Sequence, residues 1–174
     1  SNGAILYGIA IGTFFLTWFF GSLYISKLSD SIGRKSGILI CLFGAIAGYA
    51  IATAGIISRN YALLVISRAI TGFTAGAQPI AAAAMIDLAK NERESARNLG
   101  LVTVGMSFGL VIGPIIGGLF SDKNLLGNFA SPQLPFVMGG LLCLAGLLLV
   151  FFGFKDIKRE SIPMDTNPFL VFKL

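Results

Sequence analysis

Three groups of residues in this chain have types and spacings that could do chemical work. The first is Asp30, Gly33, Arg34 and Lys35, one carboxylate and two cations set around a glycine, with Asp87 a second acid at the edge of an apolar run. Opposite charges this close can pair and part, so their chemistry is that of a switch rather than of bond making. The second is Arg68, followed by Gln78, inside a long apolar stretch. An arginine at hydrocarbon depth costs several kcal/mol unless it finds a partner or reaches the headgroups. Arg68 therefore reads either as a residue snorkelling to the outer surface or as one facing a cavity, coupled to a moving substrate or proton. Gln78 is the polar candidate for lining the same cavity. The third group is small: Gly72 and Gly76, then Gly105, Gly109, Gly113, Gly117 and Gly118 with Pro114. Glycines four residues apart smooth one helix face so that a neighbour can approach closely, and a proline removes a backbone donor and bends the helix.

Other chemistries lack their residues. There is no nucleophile–base pair and no Walker-type phosphate loop, so enzyme and ATP-driven pump readings fall away. With no histidine and two cysteines, zinc or haem has almost no ligands to draw on, and no metal or cofactor is expected. Cys41 and Cys143 lie inside apolar runs and read as small hydrophobes. The net charge of +5 is not arranged as a basic stripe with interleaved aromatics, which excludes nucleic acid as a partner.

The elements that position these residues follow from composition. Of 174 residues 55% are hydrophobic and 12% charged, with a mean hydropathy of +0.84. A soluble domain carries about 25% charged residues, so this chain is solvated by lipid. A helix needs roughly 20 apolar residues to cross the hydrocarbon core, and five segments qualify: 3–24, 37–57, 61–88, 99–120 and 134–154. They are continuously apolar rather than alternating, which favours helices over barrel strands. The first lacks a basic leader and is too long for a signal-peptide core, so it counts as a span. Pro79 is placed to kink the third.

The cations sort these spans by direction. Lys27, Arg34 and Lys35 follow the first span, Lys90, Arg93 and Arg97 follow the third, and the tail holds Lys155, Lys158, Arg159 and Lys173. The opposite face carries Arg59 and Lys123. By the positive-inside rule the loops after spans one and three and the C-terminus are cytoplasmic, in an inner or plasma membrane. An inward tail and an odd number of spans start the first span outside, and the simplest account is that a preceding helix is absent.

The layout Leu28-Ser-Asp30-x-x-Gly33-Arg34-Lys35 resembles the loop between the second and third helices of major facilitator superfamily transporters, whose pattern is roughly Gly-x-Leu-x-Asp-Arg-x-Gly-Arg-Lys. Ser26 stands where that pattern has glycine and Ser31 where it has a basic residue. Arg68-x-x-x-Gly72-x-x-x-Gly76 resembles the family's fourth-helix motif. Gly109-x-x-x-Gly113-Pro114-x-x-Gly117-Gly118 resembles the fifth-helix motif of its proton-coupled drug antiporters. The resemblance implies an all-α membrane bundle of about five helices, corresponding to helices two to six of the family fold. Residues 1–156 would form a partial N-terminal bundle, and 157–174, with Asn167-Pro168-Phe169, would start the cytoplasmic linker between halves. The implied partners are the bilayer, a small-molecule substrate, and the missing first helix and C-terminal half of the same transporter.

The function expected on this footing is proton-coupled efflux of small, drug-like molecules by alternating access, powered by the proton gradient. An importer or uniporter of sugars or organic acids, and a non-transporting scaffold subunit, are the alternatives. Within the switch, Asp30 is expected to be a cap or dipole partner for the amino end of span four near Arg97, and Arg34 to pair with Asp87, as comparable contacts in the family hold the outward-facing state. The glycine face of span four is expected to pack tightly against another helix of the same half. Glu92, Arg93, Glu94 and Arg97 read as a solvated turn between helices. No Asp or Glu lies well inside a span, so a proton-carrying acid is expected outside these five.

Overall fold

The computed structural model describes residues 2–154, and the predicted linker at 157–174 lies outside them. Seven α-helices follow one another in the described residues: α1 (Asn2–Ile32), α2 (Arg34–Ile57), α3 (Tyr61–Thr74), α4 (Ala77–Asp87), α5 (Glu92–Ser121), α6 (Lys123–Leu126) and α7 (Leu134–Gly153). Among them α1, α2, α3 with α4, α5 and α7 form five spans long and apolar enough to cross a membrane. No strand occurs among the described residues.

The charged stretch after the first span, expected as a short loop, is almost wholly helix. Residues 22–32 continue α1 as helix, and α2 starts at Arg34, so the whole reversal falls on Gly33. Its φ of 101° and ψ of 149° are accessible to glycine and strongly disfavoured for any residue with a Cβ. The Gly33 amide donates to the Ser29 carbonyl at 3.0 Å, and the Gly33 carbonyl accepts from the Gly37 amide at 3.1 Å. One residue thus closes one helix ladder and opens the next. The two helices leave it so close together that a Cβ on Gly37 would lie 2.6 Å from that of Ser29.

The third span breaks in two at Ala75 and Gly76. Pro79 explains the site: it has no amide to give the carbonyl four residues earlier, that of Ala75, and its ring crowds that turn. Pro114 by contrast sits in α5 without interrupting it.

Helix α3 lies between α1 and α2, α7 packs on α2, and α5 packs mainly on α4. Water drives none of this inside a bilayer, where helices associate by close packing and interhelical contact. Backbone meets backbone at two reciprocal glycines: a Cβ on Gly21 would collide with the Phe73 carbonyl, and one on Gly72 with the Phe14 carbonyl and Thr17 hydroxyl. On the other side of the same span Gly44 faces the Thr74 methyl and Gly48 the Thr71 methyl. Those methyls point outward because the hydroxyls turn back, Thr71 donating to the Ser67 carbonyl at 2.8 Å and Thr74 to that of Ile70 at 2.9 Å. The polar atom is satisfied inside its own helix, and the apolar one fills the gap. Ile25, Ile38, Cys41 and Ile80 form the small buried core on the side of the charged junction.

At its far end α2 stops with the Asn60 amide bonded to the Gly55 carbonyl and the Arg59 amide to that of Ile56. That pairing requires a left-handed residue, normally glycine, at the position held by Arg59, whose φ is 52°. Asn60 then caps α3 by accepting from the Ala62 amide at 3.0 Å.

Two stability predictions follow from this packing. Gly72→Val is expected to destabilise the bundle by about 1–3 kcal/mol through overpacking against α1, read by steric-trap or thermal unfolding in bilayer mimetics. Arg59→Gly is expected to raise stability by about 1 kcal/mol, since a left-handed side chain costs about 1–2; an unchanged midpoint would show the strain to be absent.

Candidate functional site

The charged junction gathers three helix ends. Arg34, the first residue of α2, places Nη1 2.6 Å from Oδ1 of Asp30, in the last turn of α1. Its Nε donates to Oδ2 of Asp87, the last residue of α4, at 3.2 Å. Arg34 and Asp87 are largely withdrawn from the surface, at 14% and 16% exposure, while Asp30 is 40% exposed. One guanidinium therefore bridges two carboxylates, one shielded and one open.

Helix dipoles give this triad its character. The amino end of a helix disfavours a cation and the carboxyl end an anion, by about 0.3–1 kcal/mol each near the surface. All three residues stand at the wrong end of their helices: Arg34 begins α2, Asp30 lies in the last turn of α1, and Asp87 ends α4. Each is held there by the others, so parting one pair leaves two charges against unfavourable dipoles. Lys35 ties a fourth element to the junction. Its Nζ donates to the Phe151 carbonyl of α7 at 2.8 Å and lies 5.7 Å from the centre of the Phe151 ring. Here a cation meets the carboxyl end of a helix, the favourable arrangement.

The expectation that Asp30 caps span four is corrected. Helix α5 begins at Glu92, several residues before Arg97, and supplies its own cap. Asn91 accepts from the Glu94 amide at 2.9 Å, and the Glu94 carboxylate accepts from the Lys90 amide at 3.0 Å. Glu92 and Glu94 already face the amino end of the dipole, so Asp30 pairs with Arg34 instead. Glu92, Arg93, Glu94 and Arg97 are accordingly the opening turns of a helix, not a linking turn, with Glu94 and Arg97 3.7 Å apart.

Arg68 lies far from this junction, on the order of 30 Å from Asp87 along the span at 1.5 Å per residue. Its guanidinium carbon sits 5.3 Å from the centre of the Phe136 ring on α7, a cation–π contact. Its Nε and Nη2 are buried without a hydrogen-bond partner among the described residues. Gln78 and Pro79 are exposed on the opening turn of α4.

The two glycine motifs part company. Gly72 and Gly76 are buried against α1, with the Gly21 carbonyl 3.1 Å from a Cβ placed on Gly76. The face of span four is corrected: a Cβ on Gly105, Gly109, Gly113, Gly117 or Gly118 would meet nothing within 4 Å, so no described helix packs there. Sequence reasoning also missed Gly21, Gly44 and Gly48. The last two carried a signal in their four-residue spacing, whereas Gly21 had none beyond being a glycine. It missed Asn98 too, a buried amide whose Nδ2 donates to the Met85 carbonyl of α4 at 3.0 Å. No group of three potential metal-ligating side chains gathers among the described residues.

An apolar groove of about 600 Å³ lies between α1, α2, α3 and α7, lined among others by Ile25, Leu28, Phe43, Phe73 and Phe151. Lacking polar anchors, it offers contact area without orientation for a solute.

Comparison with known proteins places this geometry. The sequence profile of the Major Facilitator Superfamily matches residues 2–167. The class D tetracycline resistance protein of Salmonella ordonez is 31% identical over 162 residues, covering 91% of this chain and 38% of that protein. The class C tetracycline resistance protein of Escherichia coli is 30% identical over 168 residues, 96% of this chain and 40% of that protein. The chain therefore spans about two fifths of the length of these relatives. Its fold is similar to the crystal structure of the human organic anion transporter MFSD10, with a TM-score of 0.69 over 91% of this chain and 33% of that one, at 24% identity. Five apolar helices, a charged junction between the first two and a matching profile over nearly the whole chain lead to one assignment: this multi-pass membrane protein belongs to the Major Facilitator Superfamily.

Proposed function

We propose that this chain is part of a secondary transporter that exports small, drug-like molecules in exchange for protons by alternating access. The observation that carries the reading is the Asp30–Arg34–Asp87 triad, which ties three helix ends together through contacts that can open. In such transporters one half rocks against the other around a midplane site, and a latch at one membrane face sets which side is closed. The relatives named for tetracycline resistance support efflux, as does the Gly109–Gly118 pattern with Pro114.

On this reading the triad, Gly33 and Lys35 lie at the cytoplasmic face, with the loops after spans one and three and the tail. The cation distribution supports that orientation. Residues 157–174 would begin the connection to a second half. The open glycine face of α5 would receive a helix from segments of the complete transporter beyond this chain, and Arg68 would face its substrate or proton pathway. The eight acids of the sequence include none deep in a span, so the carboxylate that carries the proton would belong to those further segments. The proton gradient supplies the energy, and the cycle changes no covalent bond of the exported molecule.

Everted membrane vesicles carrying the complete transporter, with tetracycline as the probe, test this directly. Accumulation is expected to follow the proton gradient and collapse with a protonophore, and Arg34→Met is expected to cut its rate roughly tenfold, the equivalent of about 1.4 kcal/mol. Gradient-insensitive uptake would point instead to a uniporter. Full activity with Arg34→Met would remove the latch from the mechanism.

A further inference from the structure

We propose that Asn98 is a positioning residue that joins α5 to the Asp30–Arg34–Asp87 latch. The role rests on the transport reading above, whereas the mechanical joint itself does not. Helix α5 runs from Glu92 to Ser121, and its one buried residue is Asn98. The apolar side chains that follow, among them Leu101, Val104, Phe108 and Val111, are exposed, and the glycine face is open. A helix normally buries a stripe of apolar residues against its neighbours. Here, among the described residues, the buried contact is an amide near its start, while at its outer end the Phe120 carbonyl accepts from the Ser131 amide at 3.3 Å.

The acceptor explains why an amide is needed. The Met85 carbonyl lies in the last turn of α4, where carbonyls lose their helical donors. The Ala89 amide, which would have served it, turns instead to the Ile86 carbonyl at 3.0 Å. Asn98 Nδ2 fills that place at 3.0 Å. Two residues on, Asp87 is held by Arg34. The last turn of α4 is thus gripped from two sides, by α2 through its acid and by α5 through its carbonyl. A shift of α4 when the latch opens is transmitted to α5 at Asn98. A leucine at 98 would fill similar space but abandon the carbonyl, which a buried acceptor tolerates poorly.

The test uses the complete transporter in nanodiscs, with Cys41 and Cys143 replaced by serine and spin labels on cysteines at Ser58 and Ser121, the outer ends of α2 and α5. Asn98→Leu is expected to broaden and shift the 58–121 distance distribution and to lower kcat at least about fivefold with KM held, the signature of lost positioning rather than lost binding. Asn98→Gln, which keeps the amide donor, is expected to retain both values, and Thr103→Val, an exposed change on α5, to alter neither. If Asn98→Leu fails to insert, Asn98→Thr is read in the same way. A wild-type distribution and turnover in the leucine or threonine variant would overturn the joint, as would equal losses with glutamine. A complete transporter that moves no substrate, while Asn98→Leu still shifts the 58–121 distribution, would sink the transport reading and leave the joint standing.

Discussion

Arg34 begins a helix, the place where backbone amides already concentrate positive charge, and it is held there by two acids that each end a helix. Removing any one member leaves the others facing dipoles of the wrong sign. This mutual dependence separates the junction from the surface ion pairs of an ordinary loop, which contribute about 0–1 kcal/mol and vary little with conformation. It also explains why the reversal between α1 and α2 is so short. With a single glycine at the turn, Asp30 and Arg34 fall one helical turn apart across the break, and the guanidinium can span both acids. A longer loop would let the charges drift into solvent and lose the geometry.

The rest of the bundle serves this arrangement by holding helices at backbone distance. In lipid the tails are as apolar as leucine, so close approach has to come from small residues and satisfied hydroxyls. The pairs Gly21 with Phe73 and Gly72 with Phe14 clamp α3 to α1, and Gly44 and Gly48 receive the threonine methyls of the same span. Such contacts are intolerant of added volume, so α1, α2 and the third span can move as one body. Helix α5 packs mainly on α4 among the described residues, also meets α7, and accepts from the Ser131 amide through its Phe120 carbonyl at 3.3 Å.

Much of this was legible in the sequence. Continuous apolar runs gave all five spans, since hydropathy over a span's length hardly depends on neighbours. The Arg34–Asp87 contact was expected because both charges stand at the same edge of their spans. Three features were not legible, each for a local reason. Charged residues at the end of α1 read as loop, although helix continues easily through Ser29, Asp30 and Ser31 when Gly33 supplies the break. Asp30 looked free to cap α5, but Asn91 and Glu94 lie nearer and perform that task. The glycines of α5 have the spacing of a packed seam, and spacing alone cannot say where the partner resides. Asn98 shows the same limit, because one amide in an apolar helix reveals its acceptor only when α4 is set beside it.

The central claim is that Arg34 and Asp87 stabilise one another against their helix ends. A double-mutant cycle with Arg34→Met and Asp87→Leu, measured by reversible unfolding in a bilayer mimetic, tests it most directly. The account predicts that the double variant is more stable than the sum of the single losses implies, with a coupling of about 1 kcal/mol or more. Strictly additive losses would mean that the two residues act independently and that the junction is not a latch.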